Sequence, residues 1–416
     1  MSRKSVDIDY TNRPVDKAGR KSNLSMFMVM LGFTFFSASM WVGQQLAAGL
    51  NWNQFIWALL LGGAILGAYT GALGYIGAES GLSLDNLSKR SFGIKGSYLP
   101  SAMISFTQIG WFGVGLAMFA IPVAKEFLGL DVTPDHMPLE GYFLVALAGI
   151  LMTTSAYYGI RSLTIISYIA VPAVAILGTA AMIMAINRGD ATLIEQFSKG
   201  TKDLGILAGA GLVVGSFVSG GTATPNFTRF AKNAKVGLIT TVIAFFVGNS
   251  LMFLFGAVSS IYVGGNDIFE VMLNLNLFYL AIFVLGLNIW TTNDNALYSA
   301  GLGLSNITGL TKKAMVILSG IIGTVAAVWL YWNFVGWLNV LNCTLPPVGI
   351  ILILDYFLSR EDYLTGEDST VQVNWAAIAG VILGAVVANL VHWGLPSLNG
   401  MAVAAICYLV GRHFGK

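Results

Sequence analysis

Gly215-Ser-Phe-Val-Ser-Gly-Gly-Thr-Ala-Thr224 decides how this chain is read, because it falls where an apolar run should continue. The run begins near Leu204 and resumes only briefly before a basic loop at Arg229. Glycines, hydroxyls and Pro225 at membrane depth interrupt backbone pairing, and hydrocarbon has no water to replace it. Such a break survives only inside protein or against a polar cavity. A second run, Gly32-Phe-Thr-Phe-Phe-Ser-Ala-Ser39, interrupts the first apolar segment in the same way. Two Gly- or Ser-broken segments at matching places in two halves point to the binding site of a secondary transporter. The alternative is that small residues merely let helices pack closely, as Gly63, Gly67 and Gly71 would.

Composition supports the membrane reading. Of 416 residues 56% are hydrophobic and only 10% charged, against about a quarter charged in a soluble domain. The fold class is therefore all-α and integral to the membrane. A polar, basic start followed by a long first apolar run argues against a cleaved signal. Cys343 and Cys407 lie in apolar runs and form neither a metal spacing nor a disulfide framework. A net charge of +2 gives no reason to expect nucleic acid, and no obligate protein partner or cofactor is evident.

Apolar runs predict twelve spans, at 24–50, 54–80, 98–128, 141–160, 162–187, 206–229, 235–263, 277–300, 314–331, 333–358, 374–392 and 397–413. With residues 1–23 as a cytoplasmic tail, 18 of the 22 Lys and Arg fall on the inner side. Only Lys125, Arg188, Lys199 and Lys202 fall outside, so both termini are expected in the cytoplasm of a multi-pass inner-membrane protein. Breaks in spans 1 and 6 suggest a first repeat over 24–187 and an inverted second one over 206–358. Spans 11 and 12, at 374–413, are appended to this five-plus-five core, and Pro346-Pro347 is expected to kink span 10.

Three spans carry residues with chemistry to offer. On span 8, Asn288, Thr291, Thr292 and Asn295 lie at i, i+3, i+4 and i+7 and share one face. Paired hydroxyls beside a carbonyl suit a hard monovalent cation; the alternative is that they bond back to their own helix. Asp294 is an intramembrane acid, read either as a gating residue able to pair with Arg161 or Lys235, or as a proton relay. On span 3, Gln108 and Trp111 share a face and offer an amide and a flat indole to a planar polar ring. In the span 6 break, Phe217 stands between Ser216 and Ser219, and Phe36 stands in the span 1 break. No zinc-protease motif, nucleophile elbow or phosphate loop occurs, so an enzyme or a nucleotide-driven pump is not expected.

The runs Gly32–Trp41, Gln108–Gly115, Val214–Phe217, Asn288–Tyr298 and Asn333–Trp337 resemble the nucleobase:cation symporter-1 family along nearly the whole chain. That resemblance implies the amino-acid/sodium-symporter architecture and cation-driven import of cytosine by alternating access. It implies sodium at Gly32 and Phe35 of span 1 and at Asn288, Thr291 and Thr292 of span 8. It also implies a base stacked between Trp111 and Phe217, with Gln108, Ser216, Ser219, Phe36 and Asn288 around it. Phe217 stands where the hydantoin carrier of the family has Trp, which leaves fine preference open. The competing readings are a proton-coupled carrier of a purine, hydantoin or allantoin, and a channel. Beyond cytosine, sodium and membrane lipid, no partner is implied.

Overall fold

The polar interruption in the first apolar segment is real but narrow. Helix α1 (Asn23–Thr34) and helix α2 (Ser37–Gly49) are bent by 54° across only two residues, Phe35 and Phe36. The computed structural model describes residues 13–189, 191–199, 203–265, 268–333, 343–365, 370–391 and 393–414. Most of the span 10 run Asn333–Trp337 lies outside them.

The second interruption is shifted from its expected place. Helix α9 (Ile206–Thr222) runs unbroken through Gly215–Thr222, and helicity lapses only at Ala223 and Thr224, ahead of α10 (Pro225–Thr228). The hydroxyls explain this. Ser216 donates to the Val213 carbonyl (2.8 Å) and Thr222 to the Val218 carbonyl (2.9 Å), so they bond along the helix rather than unwinding it. Gly221 is needed for approach: a Cβ there would lie 2.5 Å from the Thr70 methyl. Pro225 takes the first position of α10, where its missing N–H is harmless.

Between the breaks run α3 (Trp52–Ser80), α4 (Leu84–Ser91), α5 (Tyr98–Leu128), α6 (Leu139–Tyr157), α7 (Ile160–Ile186) and α8 (Leu193–Ser198). After them come α11 (Ala234–Val242), a π-helical segment (Ile243–Gly248), α12 (Asn249–Val263), α13 (Ile268–Asn274), α14 (Phe278–Thr308) and α15 (Lys312–Trp332). The chain closes with α16 (Pro346–Leu358), α17 (Arg360–Leu364), α18 (Trp375–Leu390) and α19 (Pro396–Phe414). Pro346 and Pro347 open α16, after a bend at Leu345 that follows helical residues 343–344; the earlier part of span 10 lies outside the described residues. Among the described residues there is no strand.

Six helical stretches among the described residues are long and apolar enough to cross a membrane, or seven with the bent pair α1–α2. Helix α14 has 31 residues and is not among them. Its middle carries Asn288, Thr291, Thr292, Asn293, Asp294 and Asn295, all buried within the bundle. Such a helix is stable in a membrane only when protein covers that polar face. Helix α5 covers it closely: a Cβ on Gly115 would lie 2.2 Å from Asn293 Oδ1.

The loops sort to two ends. Arg20 donates to the carbonyls of Ala78 and Ala231, Ile94 pairs with Val371, and Arg412 reaches Asp355 and Ser359. The basic tail, the α3–α5 connection, the loop after α10 and the segment after α16 therefore share one end. At the other end Arg188 donates to Asn274 and Leu275, Leu204 to Gly49, and Gln44 to Gly265.

Candidate transport site

The break between α1 and α2 is held by a side chain from α14. Phe35 (φ −77°, ψ 89°) and Phe36 (φ −135°, ψ 133°) leave helical geometry, which deprives nearby carbonyls and amides of intrahelical partners. Asn288 replaces two of them. Its Nδ2 donates to the Phe35 carbonyl (3.0 Å), and its Oδ1 accepts from the Ser37 amide (2.7 Å). An amide is the neutral side chain that offers both functions. One N–H and one lone pair of Asn288 are left for any further contact.

Next to that clamp, α1, α7 and α14 converge. A Cβ on Gly32 would lie 2.5 Å from Ser167 Oγ and 3.6 Å from Thr291 Cβ, so the glycine lets three helices meet. Thr291 Oγ1 donates to the Asn288 carbonyl at 3.0 Å, and Thr292 Oγ1 does so at 3.5 Å. The hydroxyls thus bond back to their own helix, as the packing alternative anticipates. A hydroxyl that donates its proton still presents lone pairs. Gly32, Phe35, Asn288, Thr291 and Thr292 are all buried. Among the described residues no three His, Cys, Asp or Glu converge. A cation at this junction would meet neutral oxygens, of the kind that replace the hydration shell of a monovalent ion. Ser167, one of these neighbours, carries no signal in the sequence, where it is an ordinary serine in an apolar span.

On the facing side stands α5. Trp111 donates from Nε1 to Ser219 Oγ of α9 (3.3 Å), and its ring meets Phe36 edge-on at 5.6 Å. One turn earlier Gln108 is 1% exposed, and its Nε2 has no hydrogen-bond partner among the described residues. A buried amide N–H left unpaired costs about 1–3 kcal/mol, so this donor marks a place where an acceptor belongs. The structure therefore brings Trp111, Phe36 and Ser219 together, with Gln108 one turn away on α5.

Phe217 and Ser216 have other neighbours. The Phe217 ring makes edge contacts with Phe33 (5.4 Å) and Phe245 (5.5 Å). Ser216 Oγ accepts from Asn249 Nδ2 at 3.4 Å. Phe217 is in a continuous helix and not inside a break, so its packing against α1 is a fact of the structure.

Asp294 does not meet Arg161 or Lys235. Its Oδ1 accepts from Ser155 on α6 (2.5 Å), and Ser155 in turn accepts from Trp290 Nε1 (2.8 Å). The neighbouring Asn293 donates to the Phe112 carbonyl (3.2 Å). These contacts fasten α14 to α5 and α6. The sequence can show that Asp294 lies in a span, but not that its partner is a hydroxyl 139 residues away.

The family model for permeases of cytosine and purines, uracil, thiamine and allantoin matches residues 14–411. The chain belongs to this permease family. The cytosine permease of Escherichia coli K12 is 46% identical over 409 residues, spanning 98% of this chain and 94% of that one. The hydantoin permease of Microbacterium maritypicum is 24% identical over 336 residues, 72% of this chain and 67% of its own. Among solved structures, Mhp1, a nucleobase-cation-symport-1 transporter in a closed conformation with bromovinylhydantoin bound, superposes with a TM-score of 0.81. It shares 21% identity, and the match covers 97% of this chain and 94% of Mhp1. A Na+-coupled sialic acid symporter has a TM-score of 0.73 at 16% identity, covering 99% of this chain and 93% of its own. The chain is thus a membrane-embedded permease of this family, with the fold of Mhp1, and not an enzyme.

Proposed function

We propose that this permease imports cytosine across the cytoplasmic membrane by alternating access, coupled to sodium. The observation that carries the reading is the buried, unpaired Nε2 of Gln108 one turn from Trp111. Cytosine is flat and uncharged, and its ring carbonyl is an acceptor for such a donor while its face lies on an indole. The 46% identity to the cytosine permease of E. coli supports this base over the others in the family description. Gln108, Trp111, Phe217, Ser216, Ser219, Phe36 and Asn288 would surround the base. Gly32, Phe35, Asn288, Thr291 and Thr292 would hold sodium. The fold would comprise twelve spans, five plus five in inverted repeat with two more at 374–413, and both termini would be cytoplasmic. The neutral oxygens beside Gly32 support sodium as the coupling ion.

A proton-coupled carrier is the second reading, and Asp294 Oδ2, buried without a hydrogen-bond partner among the described residues, favours it. Equilibrium binding of labelled cytosine to the purified protein, competed by uracil, adenine and hydantoin, tests the substrate. Cytosine is expected to compete best. Stronger competition by any of the other three overturns that assignment.

A further inference from the structure

Whereas the side chain of Asn288 bonds only across the break between α1 and α2, Asn249 bridges the two interrupted spans, joining α2 to α9. It opens α12, directly after the π-helical segment, and its amide donates to the Ala244 carbonyl five residues back. One residue of insertion turns everything after it by about 100°, and π segments recur at functional positions in helices. Asn249, the first residue after that turn, is fully buried. Just before it, Gly248 presses on the end of α1: a Cβ would lie 2.8 Å from Leu31 Cδ2 and 3.0 Å from Thr34 Oγ1.

The side chain of Asn249 joins two helices. Ser39 Oγ of α2 donates to Asn249 Oδ1 (2.7 Å), and Asn249 Nδ2 donates to Ser216 Oγ of α9 (3.4 Å). Ser216 passes its own proton to the Val213 carbonyl (2.8 Å). Each hydroxyl and amide is used in one direction, so the chain of bonds is self-consistent. Its two ends adjoin aromatic residues of the candidate site. Ser39 donates its amide to the Phe36 carbonyl (3.1 Å), and Ser216 is the neighbour of Phe217.

We propose that Asn249 is a positioning residue for the transported base: it sets the spacing of α2 against α9, and with it the placement of Phe36 and Phe217. The proposal rests on the cytosine-carrier reading. It goes beyond that reading because Asn249 is not among the residues named around the base: its side chain ties one of them, Ser216, to Ser39 of α2.

A double-mutant cycle on the full-length purified protein tests it. Ser39→Ala, Ser216→Ala, the double variant and Asn249→Ala are measured for cytosine Kd at saturating sodium, with thermal melts alongside. Either serine variant breaks the bridge, so each should weaken binding about threefold to tenfold, and the double variant should be no worse than the weaker-binding single. In the Asn249→Ala background, Ser39→Ala, which lies outside the residues named around the base, should not alter Kd further. A merely structural role would lower the melting temperature without this pattern in Kd. Multiplicative effects of the two serines in the native background, or a Ser39→Ala effect that persists in Asn249→Ala, would overturn the proposal. Should Asn249→Ala fail to fold, the cycle between the two serines in the native background decides the question by itself. Wild-type protein that does not bind cytosine sinks the substrate reading only; the same cycle is then read with uracil or adenine, and additivity there counts against Asn249.

Discussion

Replacing Gln108 with Leu separates recognition from stability, because the two should move in opposite directions. In the structure the Gln108 side chain is 1% exposed and its Nε2 is unpaired. The native protein therefore carries an unsatisfied donor worth about 1–3 kcal/mol. Leu is close in volume and has no polar atom to bury, so Gln108→Leu should melt no lower than wild type and by this reasoning somewhat higher. Binding should suffer instead. A base held on Trp111 with its carbonyl toward residue 108 would lose the hydrogen bond and be left with its own buried acceptor unpaired. That is again about 1–3 kcal/mol, or roughly one to two orders of magnitude in Kd at about 1.4 kcal/mol per decade. Labelled-cytosine binding at fixed sodium, with a thermal melt on the same preparation, reads both quantities. Wild-type affinity in the Leu variant would refute the role, and so would a loss of affinity matched by a loss of stability.

Two further substitutions probe the aromatic and cation positions. Phe217→Leu keeps bulk and removes the π-face, so cytosine binding should fall by about tenfold, since base–aromatic stacking in nucleic-acid proteins is worth about 1–3 kcal/mol. Phe217→Trp should retain more affinity; equal Kd values for the two variants would show that Phe217 serves only the contacts with Phe33 and Phe245. Gly32→Ala would place a methyl 2.5 Å from Ser167 Oγ, an overpacking of the sort that costs about 1–3 kcal/mol. The sodium concentration for half-maximal cytosine binding should rise about tenfold and recover substantially when Ser167→Ala is added. Unchanged sodium dependence in Gly32→Ala would remove that residue from the cation position.

Much of this architecture is legible in the sequence, and the parts that are not share a physical cause. Alternating apolar and basic segments determine which loops lie together, because desolvating charge is expensive wherever the chain crosses hydrocarbon. The presence of two interruptions is also readable, but their extent is not. Gly215 to Thr222 looks like a helix breaker only if its hydroxyls compete with the helix. Here Ser216 and Thr222 bond along it, and the glycines are occupied by neighbours such as Thr70 and Phe33. Asn288 stands out because it belongs to a periodic polar face. Asn249 does not, because its meaning lies in Ser39 and Ser216, 210 and 33 residues distant, and in a π turn that no local pattern announces. Asp294 shows the converse: its position is evident, while its partner Ser155 depends on how α6 meets α14.

Uptake of labelled cytosine into proteoliposomes, with sodium and pH gradients imposed separately, bears most directly on coupled transport by this permease. An inward sodium gradient at equal pH on both sides should drive accumulation above the external concentration, and a pH gradient without sodium should not. Accumulation that follows the pH gradient and ignores sodium would contradict the neutral-oxygen cation site and move the coupling to Asp294.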